Sequence, residues 1–87
     1  MTNERGPCRC CGYLTLDERP PGTFAICPVC YWEDDFQFDD PDREGGANGV
    51  SLNVARRNFR DFGACDEAYM SSVRAPRSDE SPKASVN

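Results

Sequence analysis

The chain has no histidine. That removes the side chain most used as a general base near neutral pH and the commonest nitrogen ligand of metal ions. No serine or cysteine then stands in a recognisable base-activated arrangement, so nothing points to nucleophilic catalysis, and an enzyme is the least supported class. Long apolar runs are also missing. Met1–Pro7 carries no apolar h-region and no later stretch approaches a membrane span, so a cytoplasmic protein with reduced thiols is expected. The turn Gly45-Gly46-Ala47-Asn48-Gly49 lacks the Lys-Ser/Thr pair of a phosphate loop. Asp40-Pro41-Asp42-Arg43-Glu44-Gly45 resembles the start of a calcium loop, but Ser51 occupies the position of its closing bidentate glutamate.

Positive charge is in deficit. The formal net charge is -5, with -6 concentrated in residues 33–44 and +1 over the rest. Such a surface repels phosphate backbones and anionic lipid, so a basic protein is the expected kind of partner, and nucleic acid and membrane are not. Length is short as well. The 87 residues make one domain at most, read as a folded part over residues 1–74 and a disordered tail over 75–87, where Pro76 and Pro82 occur without a large aromatic. A core of that size supplies only ~3–5 kcal/mol and needs a staple.

Cysteine is what the sequence has instead, six in all. Cys8 and Cys11 form one C-x2-C pair, Cys27 and Cys30 a second, and fifteen residues separate them. Each pair makes a tight turn that aims two sulfurs at one point, and two such turns close a tetrahedron of thiolates. Cys8, Cys11, Cys27 and Cys30 are therefore the candidate metal ligands. Gly12 is suited to the positive φ that follows a knuckle, and Pro28 to the first step of the second one. Cys10 breaks the x2 spacing and reads as a spare, buried thiol. Cys65 pairs with no C-x2-C and falls outside the site. Zinc and iron both suit four thiolates. Two other readings of the cysteines are a disulfide framework and a redox role for Cys27-Pro28-Val29-Cys30, although no βαβ context surrounds that pair. A structural ion would add roughly 10–16 kcal/mol of apparent binding free energy to so small a core.

The rest of the chain supports a small metal-stapled α+β fold: a zinc-ribbon-like β-hairpin, then an acidic extended segment, then one or two short helices. Tyr13–Leu16 and Thr23–Ile26 are β-prone, and Pro20, Pro21 and Gly22 punctuate the link between them. A hairpin of these two runs would return Cys27 to the side of Cys11, with Phe24 and Ile26 on one face. Tyr31 replaces the glycine seen after the first knuckle, which suggests that the second leads straight into a strand, Tyr31-Trp32. Phe36 and Phe38 alternate within the acidic segment and are expected to pin it while its carboxylates face water. Ser51 reads as an N-cap, Leu52, Ala55, Phe59 and Phe62 as one helical face, and Gly63 as a C′ stop. Arg56, Arg57 and Arg60 lie off that stripe, in solvent or against the acids. Residues 64–73 offer a short second helix, with Asp66 and Glu67 near its start.

Cys8-Arg9-Cys10-Cys11-Gly12-Tyr13, Ile26-Cys27-Pro28-Val29-Cys30-Tyr31-Trp32-Glu33-Asp34-Asp35, Phe38-Asp39-Asp40-Pro41-Asp42, Gly45-Gly46-Ala47-Asn48-Gly49 and Ser51-Leu52-Asn53-x-Ala55-Arg56-x-Asn58-Phe59 together resemble the cysteine-rich CPCC family of small bacterial proteins. The resemblance runs from about Cys8 to Arg74. Arg9 stands where the proline of the family's name is expected, which makes the first knuckle less rigid. The resemblance implies a metal-binding protein and no particular activity. The leading expectation is a zinc-binding protein with a structural four-cysteine site that serves as a protein-binding adaptor. The alternative is a rubredoxin-like iron or thiol redox protein. The third, a nucleic-acid-binding zinc ribbon, is opposed by the charge.

Overall fold

The structure is a computed structural model that describes residues 5–35 and 40–81. Its organising events are two chain reversals at the C-x2-C turns. In the first, the Cys8 N–H donates to Tyr13 O at 2.9 Å and the Gly12 N–H to Cys8 O at 2.8 Å. A reversal that tight sets the flanking residues opposite each other. Strand β1 (Gly6–Pro7) accordingly pairs antiparallel with β2 (Leu14–Leu16), with a register irregularity between Gly6 and Pro7. The second turn repeats the pattern, with Cys27 N–H to Trp32 O at 3.0 Å and Tyr31 N–H to Cys27 O at 2.7 Å. Residues 22–27 then run against residues 32–35, through Phe24 N–H to Asp34 O, Asp34 N–H to Ala25 O and a bridge between Ile26 and Glu33.

The expected hairpin of 13–16 with 23–26 is thus replaced by two hairpins, each with a knuckle at its tip. Each knuckle closes its own reversal with two backbone hydrogen bonds, and a shorter loop than the link over residues 17–22 adds a small entropic advantage. The face of the return segment changes with it. Phe24 and Ile26 are half exposed, at 51% and 50%, while Thr23 and Ala25 are the partly buried positions. Gly6 is fixed by a different constraint. A Cβ there would collide with Glu18 O and approach Arg19 Cα and Pro20 Cδ to 2.9 Å, so the loop over 17–20 lies directly on β1.

Helix α1 runs over Leu52–Phe62, with both predicted caps in place. Ser51 Oγ accepts from the Val54 N–H at 3.2 Å, and Gly63 at φ 86 returns its N–H to Phe59 O. Leu52 and Ala55 are buried, and Phe59 meets Tyr13 edge-to-face with 6.3 Å between ring centroids. The helix therefore lays its apolar stripe on the back of the first knuckle. Residues 45–49 dock ahead of it through Asn48, whose amide pairs with both the N–H and the C=O of Glu33, each at 2.9 Å.

One expectation about the acidic segment changes. Asp34 and Asp35 are buried rather than solvated. Asp34 Oδ2 accepts the Thr23 N–H at 2.8 Å and Asp35 Oδ2 the Ala47 N–H at 2.9 Å, so each buried carboxylate is met by a backbone donor of another segment. Asp40 and Asp42 are exposed but close a turn and reach α1, through Asp42 N–H to Asp40 Oδ1 and Asn53 Nδ2 to Asp42 Oδ1. Phe36 and Phe38 lie outside the described residues.

After α1 the expected second helix is only a 3-10 turn, Glu67–Tyr69, capped by Asp66 Oδ1 accepting from Ala68 N–H. The chain then straps the second knuckle, with Cys65 N–H donating to Cys30 O at 2.8 Å and Arg74 N–H to Pro28 O at 3.1 Å. Residues 75–81, which fall in the stretch read from composition as tail, fold back toward β2 and form a 3-10 turn at Ser78–Glu80. Glu80 is buried, and Arg74 grips it bidentately at 2.7 and 3.0 Å. Charge pairing holds this segment, a device that a search for apolar burial does not detect.

Candidate metal centre

The sulfur atoms of Cys8, Cys11, Cys27 and Cys30 all lie within 4.8 Å of one another. Cys8 and Cys30 are 3.5 Å apart and Cys11 and Cys27 are 3.7 Å apart. A tetrahedron with zinc–sulfur bonds of about 2.3 Å has edges of roughly 3.8 Å, so these separations match what one ion needs. Cys8, Cys27 and Cys30 are buried at 0–2% exposure and Cys11 is partly exposed. The donor set is four soft sulfurs from two knuckles, each at the tip of its own hairpin, and it could hold a metal ion.

The two knuckles are near-copies in their backbone. Gly12 has φ 83, and Tyr31, at the equivalent step, has φ 72. Tyr31 is therefore the counterpart of Gly12 and not the start of a strand. The glycine signal was absent there, but the offset from the second cysteine was the same. A left-handed tyrosine costs roughly 1–2 kcal/mol, which its packing against Tyr69, with centroids 4.9 Å apart, helps to offset.

The thiols perturb one another strongly. Cys27 is held far below the ordinary thiol range, first by the hydrogen bond from Cys11, then by those from Cys30 and Cys8, and also by the Thr15 hydroxyl. Cys8 is lowered as well, chiefly through Cys11. Cys11 is pushed up, chiefly through its contact with Cys27, and Cys30 is pushed up, chiefly through Cys10. Charge and protons are thus divided among sulfurs packed too closely for all four to ionise unaided, which is the condition a divalent cation relieves.

Residues around the cluster complete it. Thr15 Oγ1 donates to Cys27 Sγ at 3.0 Å and the Val29 N–H to the same sulfur at 3.4 Å. Arg56, expected in solvent or against the acids, instead donates from Nε to Arg9 O at 2.9 Å and so pins the first knuckle to α1. Cys10 and Cys65 share one buried core with Cys8, Cys27, Cys30, Val29, Trp32, Leu52 and Ala55, against which the partly buried Cys11 packs. Cys65 is therefore close to the knuckles, contrary to its remote place in sequence. Burial, and then the neighbouring Cys10, push its thiol up to about 12, so it stays protonated at neutral pH. Thr15, Arg56 and Cys65 were not singled out for the site from sequence. Only Thr15 carried a hint, as the polar residue alternating with Leu14 and Leu16.

Two knuckle hairpins and a largely buried four-sulfur cluster that could hold a metal ion define a small cysteine-rich domain. Residues 6–80 match the family described as Cysteine-rich CPCC, and the chain belongs to that family. No curated protein matches the chain. No helix among the described residues is long and apolar enough to cross a membrane.

Proposed function

We propose that this protein binds a single zinc ion through Cys8, Cys11, Cys27 and Cys30, and that the ion is structural. The observation that supports this reading is the sulfur geometry, whose 3.5 and 3.7 Å edges suit one tetrahedral ion. Four protein ligands would leave no open coordination position, which is the arrangement of a folding site rather than a hydrolytic one. The core supports it too. Of its nine buried members only Val29, Trp32 and Leu52 are large; the other six are Ala55 and five cysteines, so the centre of the domain is filled largely by sulfur. The domain then acts as a rigid zinc-ribbon-like adaptor that presents its surface to a basic protein in a reducing compartment. Asp40, Asp42 and Glu44 are the described carboxylates of the acidic segment left exposed for that purpose.

Iron in the same four sulfurs, with an electron-transfer role, is the second reading, and the same geometry supports it. Native mass spectrometry of purified protein, read with its visible absorption, separates the two. The zinc reading expects one ion of zinc mass per chain and no visible band. Bands of iron–thiolate charge transfer would reassign the protein to the second reading, and a chain carrying no ion after metal-replete expression would remove both.

A further inference from the structure

Thr15 is the central residue of β2 (Leu14–Leu16). Side chains alternate along a strand, so the face opposite buried Leu16 receives Thr15. Its hydroxyl crosses to the other hairpin and donates to Cys27 Sγ at 3.0 Å, a short separation for a hydroxyl–sulfur contact. Cys27 is fully buried, at 0% exposure, and its sulfur takes a second donor from its own knuckle, the Val29 N–H. Thr15 is thus a side-chain hydrogen bond that ties β2 of the first hairpin to a sulfur of the second.

Four thiolates around a divalent ion carry a surplus of negative charge in a low-dielectric site, and donors aimed at sulfur stabilise that charge. Threonine is well suited to the task. It is β-branched and stiff about χ1, so the hydroxyl is held with little rotamer freedom to lose. We propose that Thr15 is a positioning residue of the metal centre. Its hydroxyl stabilises the Cys27 thiolate and orients it, making Cys27 the anchoring ligand and raising the affinity of the site. The inference rests on the four-cysteine metal reading above.

Thr15→Val keeps volume and branching but removes the donor, and Thr15→Ser keeps the donor. Both are loaded with cobalt(II), whose sulfur-to-metal charge-transfer band reports the electron density on sulfur. Thr15→Val is expected to bind ~10–100-fold more weakly, as loss of a ligand's hydrogen-bond partner commonly does, with the band moved to lower energy. Thr15→Ser is expected to restore both readouts, which a purely packing role of the threonine methyl would not allow. Unchanged affinity and band in Thr15→Val overturn the proposal while leaving the metal site standing. If the wild-type chain itself takes up neither cobalt nor zinc, the metal reading fails and Thr15 falls with it. A variant-free check uses wild-type protein loaded with NMR-active cadmium. The Thr15 hydroxyl proton should exchange slowly and couple to the metal through the sulfur, and a fast-exchanging, uncoupled hydroxyl counts against the assignment.

Discussion

Tyr31 occupies in the second knuckle the backbone position that Gly12 occupies in the first. Both have positive φ, 72 and 83, and both donate their N–H to the carbonyl of the first cysteine of their turn, Cys27 at 2.7 Å and Cys8 at 2.8 Å. One is a residue made for that conformation and the other is forced into it. No heavy atom lies within 4 Å of a Cβ built on Gly12, so Gly12→Ala tests the backbone alone. It is expected to cost about 1–2 kcal/mol. Tyr31→Gly relieves the same strain but loses the ring contact with Tyr69, worth about 0.5–1.5 kcal/mol, together with the ring's part-buried area, so the relief offsets only part of the loss. Denaturant unfolding of the two variants side by side checks the contrast. A gain in stability in Tyr31→Gly would show that the backbone, and not the ring, dominates at that step.

Metal content separates the four cluster cysteines from the other two. Serine in place of Cys8, Cys11, Cys27 or Cys30 is expected to abolish stoichiometric binding, and Cys10→Ser and Cys65→Ser to retain it. Chelation is expected to shift the emission of Trp32 to the red, because this residue is 2% exposed and packs in the sulfur-filled core. Native mass spectrometry and fluorescence read the two effects. Loss of the ion in Cys10→Ser would move the ligand set by one or two residues.

The carboxylates of the acidic segment divide into structural and superficial ones. Asp34→Ala empties a buried position and leaves the part-buried Thr23 N–H without its acceptor, which is expected to cost roughly 1–3 kcal/mol. Asp42→Ala removes only an exposed contact with Asn53 and should stay within about 0.5 kcal/mol. Thermal melts of the pair test this. The distinction matters for partner mapping, since neutralising Asp34 perturbs the fold and so cannot report on a binding face.

Glu80 makes the stability depend on acid. Its hydrogen bonds from Arg74 hold the carboxyl down at about 2, against an ordinary value of 4.5. A carboxylate lowered on folding stabilises the native state above its unfolded value and loses that contribution as pH falls through the window to its folded value. The Arg74–Glu80 clasp should therefore be intact above about pH 4.5 and fade toward pH 2. Glu80→Gln is expected to be less stable than wild type at neutral pH, with the gap closing across that window. Taking the difference between the two proteins cancels the acid loss of the thiol cluster, which both share. A gap that is independent of pH would mean the clasp acts through shape alone.

The sequence by itself determined the features whose causes are local. Helix α1 was readable to the residue because Ser51, the 52–55–59–62 stripe and Gly63 act within one turn of the atoms they satisfy. The four candidate ligands were readable because each C-x2-C turn places its own sulfurs, and the family resemblance added the same chain segments from a different direction. The folded chain decided which strands pair, because both the knuckles and the proline-rich link could reverse it and the sequence did not rank them. It also decided the burial of Asp34, the approach of Cys65 to Cys30, the reach of Arg56 to Arg9 and the capture of Glu80 by Arg74. In each of these a polar group meets a partner that only folding brings to it, whether six residues away, as Glu80 is from Arg74, or 47, as Arg56 is from Arg9. Its value there comes from the low dielectric of the assembled core, which no residue has around it until the chain has folded.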